Sequence, residues 1–211
     1  MFVKGKSIRE VWGRILNVIW YQGEEFKSER GSTKEILNLF ARVESPVDKT
    51  IEGFPMGESE LSAYAKQLLT PDKGEFVYTY GERLRAWGGK TIKPIDQLDA
   101  VAELLRKNKS TRRATCTTWI PPVDLKESEV PCLILLDFKV RGSILNTTAV
   151  FRSNDMFGAW PANAFGLNKV AEYVAKKAGG IKAGPLTTHS ISAHIYDHDY
   201  KNTQKVLGLS A

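Results

Sequence analysis

Cys132 stands in a sequence context that could expose a reactive thiol. It follows Val130 and Pro131 at the head of an apolar run, and because proline cannot donate to a sheet ladder, this dipeptide marks the start or edge of a strand. A thiolate there could attack a bound ligand, whereas the alternative is a small buried hydrophobic side chain. Cys116 lies in an alternating segment and is predicted to be structural. With only two cysteines and three histidines, neither a disulfide framework nor a zinc site is indicated.

Arginines form the second group of residues that could do chemistry. Guanidinium groups suit phosphate oxygens because they donate two parallel hydrogen bonds. A cluster of such cations beside Cys132 would also favour its thiolate form. The alternative for any one of them is ordinary solvated surface charge. The candidates are Arg30, Arg112, Arg113 and Arg152, and the last of these is followed by Ser153.

Two polar clusters near the C-terminus complete the set. Asp155 and Asn163 lie at a predicted strand-to-helix junction, and an asparagine amide can pair with both a donor and an acceptor on the edge of a base. His194 and Tyr196 are two residues apart in a predicted strand, so both point to one face. They could bind a ligand together, or they could form a half-buried hydrogen-bonded pair without one.

Hydrophobic periodicity predicts the elements that must position these residues. After a capping box formed by Ser7 and Glu10, helices are predicted at residues 8–19, 60–69, 94–107 and 161–178. Strands are predicted at residues 36–43, 113–119, 132–140, 143–152 and 186–196. Residues 23–34 show neither helical nor strand periodicity, and residues 74–90 are predicted to form a loop. Because most strands follow one another directly instead of alternating with helices, the predicted fold class is α+β.

The length, composition and net charge of the chain limit the class of protein it can be. The 211 residues are 42% hydrophobic, which is enough for one core, so we expect a single domain over residues 1–211. No apolar run approaches the roughly 20 residues of a membrane span, and charges interrupt the N-terminal segment MFVKGKSIREVW before a signal sequence could form. We therefore expect a cytoplasmic protein with no membrane partner. The net charge of +6 suits an anionic partner, but the aromatic residues form no basic-aromatic stripe, so nucleic acid is not expected.

Several motifs, taken in order, resemble the thymidylate synthase family. The segment RRATCTTWIPPVDLKESEVPC contains a double arginine and ends in Pro-Cys, and RSNDMFGAWPAN contains Arg-Ser-x-Asp followed by Pro-x-Asn. HIY is similar to the family's His-x-Tyr, YTYGERLRAW to its Tyr-Gly segment, and FKSERGSTKEIL to its phosphate loop. The resemblance covers most of the chain, although residues 45–75 match poorly. Ser190, Ile191 and Ser192 stand where the family has Gly-Gly-Asp.

This resemblance implies a three-layer α+β fold whose large mixed β-sheet forms a homodimer interface. It also implies a one-carbon transferase that converts dUMP to dTMP without a metal. The donor would be 5,10-methylenetetrahydrofolate or a modified pterin such as methylene-tetrahydromethanopterin. Two alternatives stay open. One is a dUMP or dCMP hydroxymethylase of the same family, although Asn163 favours uracil over cytosine because an amide matches the N3–H and O4 pattern. The other is a non-catalytic basic protein that binds nucleotides or nucleic acid.

The resemblance also implies a role for each candidate residue. Cys132 would add to C6 of the pyrimidine, and Asn163 would recognise the uracil edge. Tyr80 and Asp155 would serve in proton handling, and Asp155 also in orienting the pterin. Arg112 and Arg113 would reach the site of the second subunit. The remaining substrate contacts would be Arg30, Arg152 and Ser153 at the phosphate, and His194 and Tyr196 at the deoxyribose 3′-hydroxyl.

Overall fold

A seven-stranded mixed sheet organises the chain in the computed structural model, which describes residues 1–88 and 93–209. The strands are β1 (Phe2–Gly5), β2 (Glu24–Ser28), β3 (Gly31–Val43), β4 (Thr115–Thr117), β5 (Leu133–Arg141), β6 (Ile144–Asp155) and β7 (Lys182–Tyr196). The helices are α1 (Ile8–Gln22), α2 (Glu58–Gln67), α3 (Tyr80–Arg85), α4 (Gln97–Lys107), α5 (Pro121–Asp124), α6 (Trp160–Ala178) and α7 (Tyr200–Val206). A short 3₁₀ turn, Asp197–Asp199, precedes α7. The predicted α+β class with a large mixed sheet is confirmed.

The sheet order is β1-β3-β7-β6-β5-β4, and β2 pairs with the other end of β3. β5 and β6 form an antiparallel hairpin that turns at Gly142, where φ is 59° and glycine avoids the strain of a left-handed conformation. β6 and β7 are parallel and are connected by α6, as a parallel pair requires a crossover. β3 and β7 are antiparallel, so the long strands β3, β7 and β6 lie side by side.

One face of the sheet is the core side. Along β6, residues 145, 147, 149 and 151 are buried while their neighbours are partly exposed, which is the alternation expected of a half-covered sheet. α1 and α6 pack on this face, and α2 and α4 pack in turn against α6. α6 is therefore covered on several sides, and 14 of its 19 residues are buried. On the opposite face Phe40 and Ile191 are each 38% exposed.

The predicted helices and central strands are present, but two predicted irregular segments are ordered differently. Residues 24–35 form an antiparallel hairpin of β2 and the start of β3 instead of a break. Its strands carry charged residues on exposed positions, so the hydrophobic alternation that signals a strand is absent. Within the predicted loop 74–90, residues 80–85 form α3, and residues 89 and 90 lie outside the described residues. At α1, Ser7 accepts from Glu10 N as predicted, but Glu10 accepts from Lys6 N instead of Ser7 N.

α3 is short, so tertiary contacts must hold it. Thr79 caps its N-terminus by accepting from Glu82 N at 3.0 Å. A Cβ at Gly81 would lie 1.9 Å from the backbone oxygen of Gln67, so only glycine lets α3 approach the end of α2 this closely. Arg83 is 6% exposed and donates to both oxygens of Asp124, at 3.0 and 2.8 Å. This buried ion pair joins α3 to α5, at the start of the segment that leads to Cys132.

Candidate active site

A cavity of about 560 Å³ lies at one end of the sheet, where β3, β6 and β7 meet α2, α3 and the residues before β5. Its volume is within the range typical of small-molecule sites. Nine of the eleven predicted site residues line it. They are Arg30, Tyr80, Cys132, Arg152, Ser153, Asp155, Asn163, His194 and Tyr196. Arg112 and Arg113 do not line this cavity; both are exposed and lie just before β4.

Cys132 is half-buried on the cavity wall, one residue before β5 begins. Arg152 is tied to the chain around it: Nε donates to the carbonyl of Pro131 at 3.0 Å, and Nη2 donates to the carbonyl of Val130 at 3.2 Å. The same Nη2 lies 3.8 Å from Cys132 Sγ. The structure therefore brings the predicted nucleophile, Cys132, into contact with Arg152, which is predicted to bind the phosphate.

The arginines act on Cys132 in the predicted direction, since Arg152 and Arg30 both lower the pKa of its thiol. Burial raises the pKa of Cys132, and the opposing effect of Arg152 and Arg30 does not outweigh it. The resting state is therefore the thiol. The two guanidinium groups lie where they would stabilise a thiolate formed during a reaction.

We expect this raised pKa to appear in alkylation kinetics. The rate at which iodoacetamide modifies Cys132 should still be increasing above pH ~8.5, where an ordinary cysteine titrates. Arg30→Ala should move the midpoint of the curve further upward, because Arg30 lowers the pKa of this thiol. Peptide mass spectrometry separates Cys132 from Cys116, which is buried and whose pKa burial raises to about 12. A rate for Cys132 that is already constant below pH 7 would contradict this account.

Phenol groups surround the thiol. Tyr80 Oη accepts from the backbone N–H of Leu133 at 3.2 Å, so its own hydrogen is available to a ligand. Burial raises the pKa of Tyr80 well above its usual value and raises that of Tyr78 to about 12. Both groups therefore stay protonated at neutral pH and act as hydrogen-bond donors, which is compatible with the predicted part of Tyr80 in proton handling.

Asn163, at the start of α6, is 4% exposed and belongs to a buried chain of hydrogen bonds. Tyr64 Oη donates to Asn163 Oδ1 at 2.6 Å, and Asn163 Nδ2 donates to Asn154 Oδ1 at 3.5 Å. Asn154 Nδ2 then donates to Ser190 Oγ at 3.1 Å. These contacts hold the Asn163 amide in place, and in this orientation its remaining lone pair and N–H present one defined pattern to a ligand.

His194 lies between two carboxylates on neighbouring strands. It is paired in register with Glu35 on β3 and with Asp155 on β6. Asp155 Oδ1 accepts from the backbone N–H groups of Phe157 and Gly158, each at 3.0 Å. Burial is the main cause of the lowered pKa of His194 and of the raised pKa of Asp155. The imidazole is therefore neutral at neutral pH.

Aromatic rings continue from His194 toward the surface. The rings of His194 and Tyr196 meet edge to face with centroids 4.9 Å apart, and Tyr196 stacks on His198 at 5.3 Å. Arg30 is exposed in the β2–β3 turn, where its backbone N–H donates to Ser28 Oγ at 3.1 Å. The cavity is thus lined by both cationic and aromatic side chains.

Sequence reasoning did not single out several cavity residues. Tyr64 had no local signal, because its partner Asn163 is 99 residues away. Ser192 could have been found, since Ser192, His194 and Tyr196 alternate along one strand. Glu35 depended on the pairing of β3 with β7, which the sequence does not specify. Over residues 1–88 and 93–209, no group of His, Cys, Asp and Glu could hold a metal ion. Within the same part of the chain no helix is long and apolar enough to cross a membrane.

Comparison with known proteins gives consistent results. The profile of the family described as thymidylate synthase matches residues 14–209. A protein of Methanococcoides burtonii is 47% identical over 97% of this chain and 94% of its own. A protein of Methanosarcina mazei is 45% identical with the same coverage. One of Methanocaldococcus jannaschii is 37% identical over 96% of this chain and 94% of its own. Each of the three carries the name "Putative thymidylate synthase".

Proposed function

The chain belongs to the thymidylate synthase family, and from this premise we propose that it methylates dUMP at C5 to give dTMP. Membership implies an enzyme of nucleotide biosynthesis that transfers a one-carbon unit from a folate-type donor. The observation that carries the more specific proposal is the single cavity in which Cys132, Arg152, Asn163 and His194 meet.

In the proposed reaction Cys132 adds as a thiolate to C6 of the pyrimidine. This addition makes C5 a carbon nucleophile, which is the purpose of covalent catalysis here. Arg152, whose Nη2 lies 3.8 Å from Sγ, stabilises the thiolate and so offsets part of the cost of burying its charge. Tyr80 and Asp155 serve in proton handling: Tyr80 stays protonated and donates a hydrogen bond, and burial raises the pKa of the Asp155 carboxyl group, which can exchange the proton.

Substrate binding divides among the walls of the cavity. Arg30, Arg152 and Ser153 hold the phosphate. Asn163 recognises the N3–H and O4 edge of uracil with an amide that Tyr64 holds in place. His194 and Tyr196 hold the 3′-hydroxyl of the deoxyribose. This distribution places the pyrimidine beside Cys132.

The cavity residues also fit a reduced pterin. A pterin ring offers N–H donors, and Asp155 is a carboxylate on the cavity wall whose two backbone contacts both use Oδ1. Among the described residues this leaves Asp155 Oδ2 to accept from a ligand. The donor, 5,10-methylenetetrahydrofolate or methylene-tetrahydromethanopterin, supplies the one-carbon unit and the hydride. Asp155 orients it, and the aromatic side chains on the cavity wall offer rings against which a planar group can stack.

Product mass tests the proposal. The purified protein is incubated with dUMP and each methylene donor in turn, and the nucleotide is analysed by mass spectrometry. We expect dTMP with at least one donor. A product carrying a hydroxymethyl group would indicate the hydroxymethylase, which family membership does not favour. Recovery of unchanged dUMP with both donors would contradict the proposal.

We further propose that the active form is a homodimer. The sheet face opposite the core carries half-exposed apolar residues, including Phe40 and Ile191, which suit burial against a second copy. Arg112 and Arg113 are exposed outside the cavity of their own chain, so they are free to complete the phosphate site of the partner.

Complementation between inactive variants tests this sharing. Mixing Arg113→Ala with Cys132→Ser should restore part of the activity, because each mixed dimer contains one site with Cys132 and with Arg113 from its partner. Arg30→Ala is the matched control: Arg30 lines the cavity of its own chain, so its mixture with Cys132→Ser should stay inactive. If mixed dimers form and neither mixture regains activity, Arg113 does not act across subunits.

A further inference from the structure

We propose that Glu35 and Ser192 are positioning residues that hold a proton on Nδ1 of His194, so that Nε2 offers a lone pair and selects a ligand group that donates a hydrogen bond. The inference rests on the proposed function for the identity of that group, which would be the 3′-hydroxyl of the nucleotide. Its structural part, the protonation pattern of the imidazole, is independent of any ligand.

The geometry consists of three side chains on two neighbouring strands. Glu35 on β3 is the register partner of His194 on β7, and Ser192 is two residues before His194 on the same face. Ser192 Oγ donates a short hydrogen bond to Glu35 Oε1. Ser192 Oγ also lies 3.2 Å from His194 Nδ1. All three side chains line the cavity.

The number of hydrogens decides the roles in this chain. A serine hydroxyl has one hydrogen, and Ser192 gives it to the carboxylate of Glu35. Toward His194 the same oxygen can therefore only accept, so Nδ1 must carry the proton. In a neutral imidazole the other nitrogen, Nε2, is then an acceptor.

The surroundings keep the ring neutral and hold this arrangement in place. His194 is 6% exposed, and burial lowers its pKa in spite of the facing carboxylates Glu35 and Asp155. In a neutral ring with Nε2 unprotonated, Nε2 can accept a hydrogen bond from a hydroxyl group. It cannot donate a hydrogen bond to a group that is only an acceptor. The family's Gly-Gly-Asp is Ser190, Ile191 and Ser192 in this chain. Glu35 thus supplies from the neighbouring strand a carboxylate that β7 lacks at position 192.

Nitrogen-15 NMR of the ligand-free protein at a pH where His194 is neutral tests the structural part. His189→Gln and His198→Gln assign the signals, because the chain has three histidines. We expect the proton of His194 on Nδ1. In Ser192→Ala it should redistribute toward Nε2, whereas Thr187→Ala, which removes a hydroxyl from another part of β7 where it accepts from Arg42, should leave it on Nδ1. A wild-type proton on Nε2, or a Ser192→Ala spectrum identical to wild type, would overturn the proposal.

Ligand analogues test the functional part on the wild-type protein, which avoids any folding defect of a variant. Competition binding compares dUMP with its 3′-deoxy and 3′-fluoro analogues. Both analogues should bind about tenfold more weakly than dUMP, because neither can donate to Nε2. A 3′-fluoro analogue that binds as tightly as dUMP would overturn the selection of a donor. If dUMP itself does not bind, the proposed function fails while the NMR result on the imidazole still stands.

Discussion

Replacing Cys132 by serine should lower turnover by at least about a thousandfold while dUMP still binds. A serine hydroxyl is a far weaker nucleophile than a thiolate, and no base lies in hydrogen-bond contact with this position among the described residues. The phosphate and base contacts come from other side chains, chiefly Arg30, Arg152 and Asn163, and they survive the change. The dissociation constant for dUMP should therefore stay close to that of the wild type.

Steady-state kinetics and calorimetric titration with dUMP measure the two effects separately. Cys116→Ser is the matched control, since Cys116 is buried in β4 and does not line the cavity. That variant should keep its activity once corrected for the fraction folded. Normal turnover by Cys132→Ser would show that the nucleophile is another residue.

The largest expected effect on stability is at Asp124. Asp124 is 2% exposed. Its carboxylate accepts hydrogen bonds from both Nη atoms of Arg83 and from the backbone N–H of Ile120, the last at 2.6 Å. Asp124→Ala would remove this bidentate partner, and the charged contact that Arg83 then keeps is the longer one from its Nε to Glu82 Oε2, at 3.5 Å. Breaking a buried pair in this way costs about 3–5 kcal/mol of unfolding free energy. For a chain of this length we therefore expect a loss of about 10 °C or more in melting temperature.

Thermal and urea unfolding measure this loss. Glu103→Ala is the control, because Glu103 pairs with Arg106 on the exposed face of α4, where solvent screens the pair, and its melting temperature should stay near that of the wild type. We also expect Asp124→Ala to lose activity while still folded, since the pair anchors α3, which carries Tyr80, to the segment that ends at Cys132. Equal melting temperatures for the two variants would mean that the ion pair does not stabilise the fold.

The reactive residues could be read from the sequence because their signals are local. Pro131 and Cys132 mark a strand start, and His194 and Tyr196 share a face by simple alternation. The helices α1, α4 and α6 could also be predicted from the sequence, since a repeated apolar spacing reflects the face that each one buries.

What the sequence could not provide depends on contacts between distant segments. The hairpin of β2 and β3 is polar on its exposed positions, so it lacks the alternation of a half-buried strand. α3 is stabilised by Gly81 packing on α2 and by Arg83. The link between Glu35 and Ser192 spans 157 residues and follows only from strand register. The raised pKa of the Cys132 thiol was equally out of reach, because burial, which causes it, is a property of the folded protein.

Release of tritium from dUMP labelled at C5 tests the central claim most directly, because this hydrogen becomes labile only after a nucleophile has added to C6. With a methylene donor present, the wild-type protein should release tritium to water, and Cys132→Ser should release none above background. Absence of release by the wild type with either donor, or equal release by both proteins, would contradict the assignment of Cys132 as the nucleophile of a thymidylate synthase reaction.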